Sequence, residues 1–192
     1  MPFFLITGLG GAAKSALVYE LRRRGLDALD AEDVEGLTGW RNIRTGETLE
    51  GSPPAPVDFQ AYRFAWNSEA LLRLFSRKGR VFLCGSAWNA RQFHPCFEHV
   101  FVVMPQKPQP RAKPGRRPRD AKADTAPAEP PVENGSAISA ARSIPQIADE
   151  IEAGVQTLLR PRGREAWLRL LRSRLRRIWL RIEDRRAVRI TR

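Results

Sequence analysis

Gly8-Leu9-Gly10-Gly11-Ala12-Ala13-Lys14-Ser15 is the stretch of this chain in which residue types and spacing most directly suggest chemistry. It follows a short apolar run, residues 3–7, and leads into a segment whose Ala16, Leu17, Val18 and Leu21 recur at helical spacing. A glycine-rich turn between a strand and a helix lets successive backbone N–H groups converge on one anion, and the helix N-terminus adds partial positive charge. Lys14 is placed to reach the β- and γ-phosphates of a nucleotide, and the Ser15 hydroxyl to ligate a Mg2+ ion that arrives with it. The pattern asks for glycine immediately before the lysine, and Ala13 stands there instead. Its methyl group crowds a point where the backbone must approach a phosphate oxygen. The expectation is a phosphate cradle formed by Gly8, Gly10, Gly11, Ala12, Ala13, Lys14 and Ser15, with weakened affinity for a triphosphate.

The cradle needs a scaffold, and the rest of the sequence reads as one. Residues 3–7 form a buried strand, 14–24 a helix closed by Gly25, and 26–29 a second strand running into Asp30-Ala31-Glu32-Asp33. Glycines and prolines crowd residues 36–60, which read as an extended loop with a turn at Thr45-Gly46. A helix follows over 65–77, then a third strand over 80–84 ending at Gly85-Ser86, and a short helix over 87–93. Residues 99–104 are β-branched and aromatic and read as a fourth strand. A fifth strand at 137–139 and a helix over 144–159 complete the pattern. Alternating strands and helices predict an α/β fold in three layers, a parallel sheet covered on both faces.

Two segments break the alternation. Residues 105–135 hold 8 of the 15 prolines and almost no large apolar side chains, too little to offset the entropy of ordering, so a disordered insertion is expected. Residues 160–192 hold 13 arginines against 3 acidic residues, so most of the net charge of +12 belongs to this tail. Within it Trp167, Leu171, Leu175, Ile178 and Ile182 are spaced 4, 4, 3 and 4, one stripe of an amphipathic helix that Leu168 and Trp179 widen. Such a tail can lie on an anionic membrane surface, contact nucleic acid, or dock its stripe on the domain or another chain. The two tryptophans and the sharp stripe favour a membrane or a protein partner, through residues 164–192, over nucleic acid.

A resemblance adds to this reading. Residues 3–33, with Asp30, Glu32 and Asp33 after the second strand, resemble the opening of the small P-loop kinases of the shikimate, nucleoside and adenylate kinase group. They are more closely similar to a bacterial branch of AAA-family ATP-binding, nucleoside-kinase-like proteins. Gly36-Leu37-Thr38-Gly39-Trp40, then Leu83-Cys84-Gly85-Ser86 with Asn89 and Phe93, and residues 137–151 with Ala141-Arg142, match that branch further on. The likeness covers residues 2–104 and 136–155. It implies a P-loop NTPase domain over 1–104 and 136–159, with strand order 2-3-1-4-5, and ATP and Mg2+ as ligands. It implies an ATP-dependent phosphotransferase acting on a small hydroxyl-bearing metabolite or nucleoside. Asp30 or Asp33 would serve as general base, Gly85, Ser86 and Asn89 would border the acceptor, and Arg142 would border the adenine.

The chain departs from that family in two places besides Ala13. Where the kinases carry an arginine-bearing helical lid, this chain has the proline-rich segment, with Arg111, Arg116, Arg117 and Arg119 but nothing local to position them. No acidic residue directly closes the third strand. These departures bear on catalysis more than on binding, and they keep open a nucleotide-binding protein without turnover whose tail recruits a membrane or partner.

Cys84 and Cys96 are the only cysteines, too few for a disulfide framework, and residues 2–6 are too short for a signal-peptide core. A cytoplasmic protein with reduced thiols is expected, with membrane-peripheral attachment through the tail as the variant. His94, Cys96 and His99 lie close in sequence, but core packing explains them better than a zinc site.

Overall fold

Phe3-Phe4-Leu5-Ile6-Thr7 has no polar side chain before its last residue, and in the computed structural model it forms strand β1 (Phe3–Thr7), buried along its whole length. The structure describes residues 2–8, 10–49, 51–53, 57–104, 134–159, 171 and 175–178. Side chains leave a strand alternately on its two faces, so β1 serves two cores at once. Phe3 and Leu5 pack with Trp66, Leu71, Phe75, Phe93 and Phe97. Phe4 and Ile6 pack with Leu17, Val18, Leu21, Ile147 and Ile151. The result is the three-layer α/β arrangement that the alternation predicts.

Along the chain follow α1 (Gly11–Arg23), β2 (Asp27–Asp30), β3 (Thr38–Asn42), β4 (Tyr62–Trp66), α2 (Ser68–Leu74) and β5 (Val81–Cys84). A 3-10 helix (Ala90–Cys96), β6 (His99–Met104), β7 (Gly135–Ser139) and α3 (Ile144–Leu159) complete the described elements. Five strands pair in parallel in the order β2-β5-β1-β6-β7, with Phe4 opposite Phe82 on one side of β1 and Leu5 opposite Val100 on the other. Helices α1 and α3 cover one face, and α3 does so with Ile147, Ile151 and Val155 at four-residue spacing. Helix α2 and the 3-10 helix cover the other face.

The structure corrects the sequence reading at several points. Residues 36–60 are expected to be loop and 65–77 helix, yet β3 and β4 pair there as an antiparallel hairpin outside the main sheet. With that hairpin numbered, the strand order differs from the expected 2-3-1-4-5. The hairpin is held by its own aromatic contacts, Trp40 edge-on to Phe64 and tilted against Phe59. Such long-range pairing overrides the glycine and proline signals of its neighbourhood. The helix begins later, because Asn67 is extended and its side chain accepts the Ala70 N–H as an N-cap. Helix α1 begins earlier than residue 14, at Gly11, and Gly25 closes it with φ +79°. Gly135, expected in the insertion, already belongs to β7. The rest of the insertion that is expected over 105–135, except residue 134, lies outside the described residues.

Of the expected tail helix, residues 171 and 175–178 are described, and they are helical. Residues 175–178 lie against the amino-terminal edge of the sheet through one buried side chain. Arg177 donates from Nε to the Cys96 carbonyl at 2.7 Å and from Nη2 to both Glu98 carboxylate oxygens at 2.7 and 2.8 Å. Its guanidinium also lies over the rings of Phe3 and Phe75. Glu98 in turn accepts the Phe3 backbone N–H, so the pair ties the tail to the start of β1. Leu175 and Ile178 of the apolar stripe remain 54% and 53% exposed, so on these residues the stripe does not dock on the domain. Among the described residues no helix is long and apolar enough to cross a membrane.

Removing one partner of a buried ion pair strands the other charge. Arg177→Ala should therefore lower the stability of the domain by about 3 kcal/mol. Arg176→Ala, one residue away and exposed, should change it by less than about 0.5 kcal/mol. Urea unfolding of the two variants beside the parent measures both.

Candidate functional site

In a parallel sheet the site is decided by where the connections diverge. The helix after β1 leads towards β2 on one side of the sheet, and the chain after β6 goes to β7 on the other. The carboxyl end of the β1–β6 pair is thus the switch point, the place where open α/β sheets hold ligands. Gly8 sits in it. Its φ is +86°, and a Cβ there would lie 2.4 Å from the Val103 carbonyl oxygen of β6. Only glycine fits a turn this close to a neighbouring strand.

Gly10 is extended and forms the N-cap of α1, with no side chain to cap it. The amides of Ala13 and Lys14 both donate to the Gly10 carbonyl, at 3.1 and 3.3 Å. Gly11, Ala12 and Ala13 therefore lie in the first helical turn rather than in a loop wrapped around an anion. The wide amide nest expected over 8–15 reduces to a helix N-terminus, whose leading N–H groups have no intrahelical acceptors. Ser15 is exposed on α1.

Lys14 reaches from α1 to the end of β2. Its ammonium lies 2.7 Å from Glu32 Oε1 and 3.1 Å from Asp30 Oδ1. Burial pulls the Lys14 pKa down, but the bonds to Glu32 and Asp30 and their charges outweigh it and carry the pKa above its ordinary value. Lys14 is accordingly a fixed cation and not a proton acceptor. Asp30 is buried, and its Oδ1 also accepts the Glu32 backbone N–H at 3.0 Å, which orients the carboxylate towards α1. Asp33 is exposed in the turn that follows. The structure thus gathers Lys14, Asp30 and the helix N-terminus. It adds Glu32, whose part the sequence signals only as one acid in an acidic turn.

The remaining expected residues fall in different places. Gly85 continues β5, its amide donating to the Ile6 carbonyl at 2.9 Å, and a Cβ there would lie 2.5 Å from the Ala31 Cβ. It is a packing glycine between the ends of β1 and β2, with Ser86 half-buried beside it. Asn89, expected to border the acceptor, has its side-chain amide engaged in both directions by the Trp66 backbone at 2.8 Å. That amide fastens the loop after β5 to the hairpin. Arg142 follows β7 and pairs with Glu150 at 3.0 Å, lining an open depression with Gln146, Asp149 and Ala153.

Among the described residues, no group of three or more His, Cys, Asp or Glu side chains could hold a metal ion. Cys84 and Cys96 are buried and free, and burial pushes their thiols up to about 12 and about 11. His94, two residues before Cys96, is also buried, and its Nε2 has no hydrogen-bond partner among the described residues. No family model matches this chain, and no curated protein or solved structure matches it.

Two pH dependences follow from these environments. Lys14→Met leaves the Asp30 charge uncompensated and should lower stability by about 2 kcal/mol near neutrality. Because the folded pKa of Lys14 is raised, its contribution is complete below about pH 10.5, the unfolded value, and fades as pH climbs past it. The gap between parent and variant in urea unfolding should narrow only above that point. His94 behaves in the opposite sense. Burial, and then the charge of Arg91, push it down to about 4. The unfolded chain therefore binds a proton that the native state refuses, and stability should fall by about 3 kcal/mol as pH drops from about 6.5 to 4. His94→Leu should flatten that acid limb.

Proposed function

We propose that the carboxyl edge around Lys14 binds the phosphates of a nucleotide, ATP with Mg2+, and that the chain is a kinase-like protein of the P-loop type. One observation carries the reading: a strand and a glycine turn at the switch point lead into a helix whose Lys14 ammonium lies at the carboxyl end of β2, beside two carboxylates. The residues fit such a ligand in part. The first turn of α1 offers N–H donors and the positive end of its dipole to a phosphate. Glu32 is the more exposed partner of Lys14, and an exposed ion pair of this kind is weak, so the ammonium can swing to an anion while Asp30 stays in place. Asp30, Glu32 and the Ser15 hydroxyl supply oxygen donors, and Mg2+ is commonly held by one or two carboxylates together with phosphate oxygens. When bound, that ion would neutralise charge on the phosphates. The acceptor, a small hydroxyl-bearing metabolite or nucleoside, would lie by Gly85, Ser86 and the Asp30–Asp33 turn.

A second reading is nucleotide binding without turnover. It is favoured by the short turn: with α1 starting at Gly11, few amides are left to surround a transferring phosphoryl group. Calorimetric titration of the full chain with ATP and Mg2+ tests the shared part. Lys14→Ala should weaken binding by about 10- to 100-fold, the loss of one charge-assisted contact. Equal affinities, or no binding by the parent, would overturn it. ADP release in the presence of nucleosides and small polyols then separates the kinase from the silent binder.

A further inference from the structure

We infer that the basic C-terminal segment docks on an anionic lipid membrane, and that the domain holds residues 175–178 by Arg177 so that Leu175 and Ile178 face outward. An amphipathic helix attached to its own domain ordinarily turns its apolar face to the core. Here the described residues are arranged the other way. Arg177 is 8% exposed, whereas Leu175 and Ile178 are more than half exposed and Leu171 is half-buried. At about 100° per residue, Leu175 and Ile178 lie about 60° apart, and Arg177 lies on the far side of the helix. The same spacing places Leu171 on the Leu175 side, and in the sequence Trp167 and Ile182 extend that stripe in both directions.

The inversion has a physical cause. The amino-terminal edge of the sheet offers a carboxylate and a carbonyl, Glu98 and Cys96, between the aromatic rings of Phe3 and Phe75. That site suits a guanidinium, which is planar, weakly hydrated and able to bond a carboxylate in bidentate fashion. An aliphatic side chain in its place would make none of these polar contacts. The anchor therefore selects Arg177 and directs the opposite side of the helix away from the domain.

Charge decides what covers the exposed stripe. Residues 160–192 carry 13 arginines and 3 acidic residues, so a second copy of the same segment would be repelled. A duplex nucleic acid would meet the arginines but keeps its apolar base faces stacked away from the stripe. An anionic bilayer answers both: its headgroups face the arginines while leucine, isoleucine and tryptophan enter the interface. Leu175 and Ile178 would then meet the membrane, with the domain held on the Arg177 side.

Sedimentation of the full chain with vesicles tests this. The chain should bind vesicles of phosphatidylglycerol in phosphatidylcholine, release them at high salt, and bind phosphatidylcholine alone far less. Leu175→Glu with Ile178→Glu should reduce binding by about tenfold or more, since two apolar side chains no longer enter the interface. Both positions are exposed, so the unfolding midpoint of the double variant should match the parent. Lys14→Ala should leave vesicle binding unchanged, which separates this inference from the nucleotide reading. Equal binding to neutral vesicles, or undiminished binding by the double variant, would overturn it. So would a parent dimer that the double variant turns into a monomer, which would assign the stripe to a second copy.

Discussion

A strand buried on both faces leaves its chain few choices at either end, and β1 imposes that constraint on everything around it. Its side chains divide between two hydrophobic clusters, so neither face can be given up to a ligand. Its backbone is paired on both edges, with β5 and β6. What remains free is its carboxyl end, where the chain must turn beneath a neighbouring carbonyl and enter α1. Gly8 is the residue that permits the turn. The position of Lys14 follows from it: a helix starting directly after so tight a turn carries its first long cation back over the sheet edge, where β2 ends in acidic residues.

The cation at that edge is engaged by two carboxylates. A lone ammonium near a helix N-terminus would be unfavourable, since both are positive. Asp30 and Glu32 offset that and keep Lys14 protonated. Asp30, buried and bonded to the Glu32 amide, is the fixed member, and Glu32 is the exchangeable one. The same contacts keep Lys14 charged.

At the other end of β1 an arginine does comparable work. Phe3, Glu98 and Arg177 link the first strand, the entry to β6 and the C-terminal segment through one guanidinium. One cation–carboxylate contact thus ties α1 to the end of β2, and another holds residues 175–178 at the start of β1. Because residues 175–178 are held through Arg177, Leu175 and Ile178 stay at the surface.

The amino-acid sequence by itself determined the alternation of strands and helices, because hydrophobic period is local: the apolar run of β1, the β-branched β6 and the four-residue spacing of α3 each announce their type without help from elsewhere. It also determined that a glycine turn and Lys14 lie between a strand and a helix, and that a basic stripe ends the chain. Tertiary structure alone decided the rest. The β3–β4 hairpin exists because Trp40 meets Phe59 and Phe64 across distant positions, which no window of the chain contains. Asn89 is a fastening for the Trp66 backbone, although its neighbourhood resembles a substrate loop. Lys14 is paired before any ligand arrives, and the side of the tail that faces the domain is set by where a buried carboxylate needs a cation. Those outcomes depend on distances between residues far apart in sequence, and such distances come into being only when the sheet is assembled.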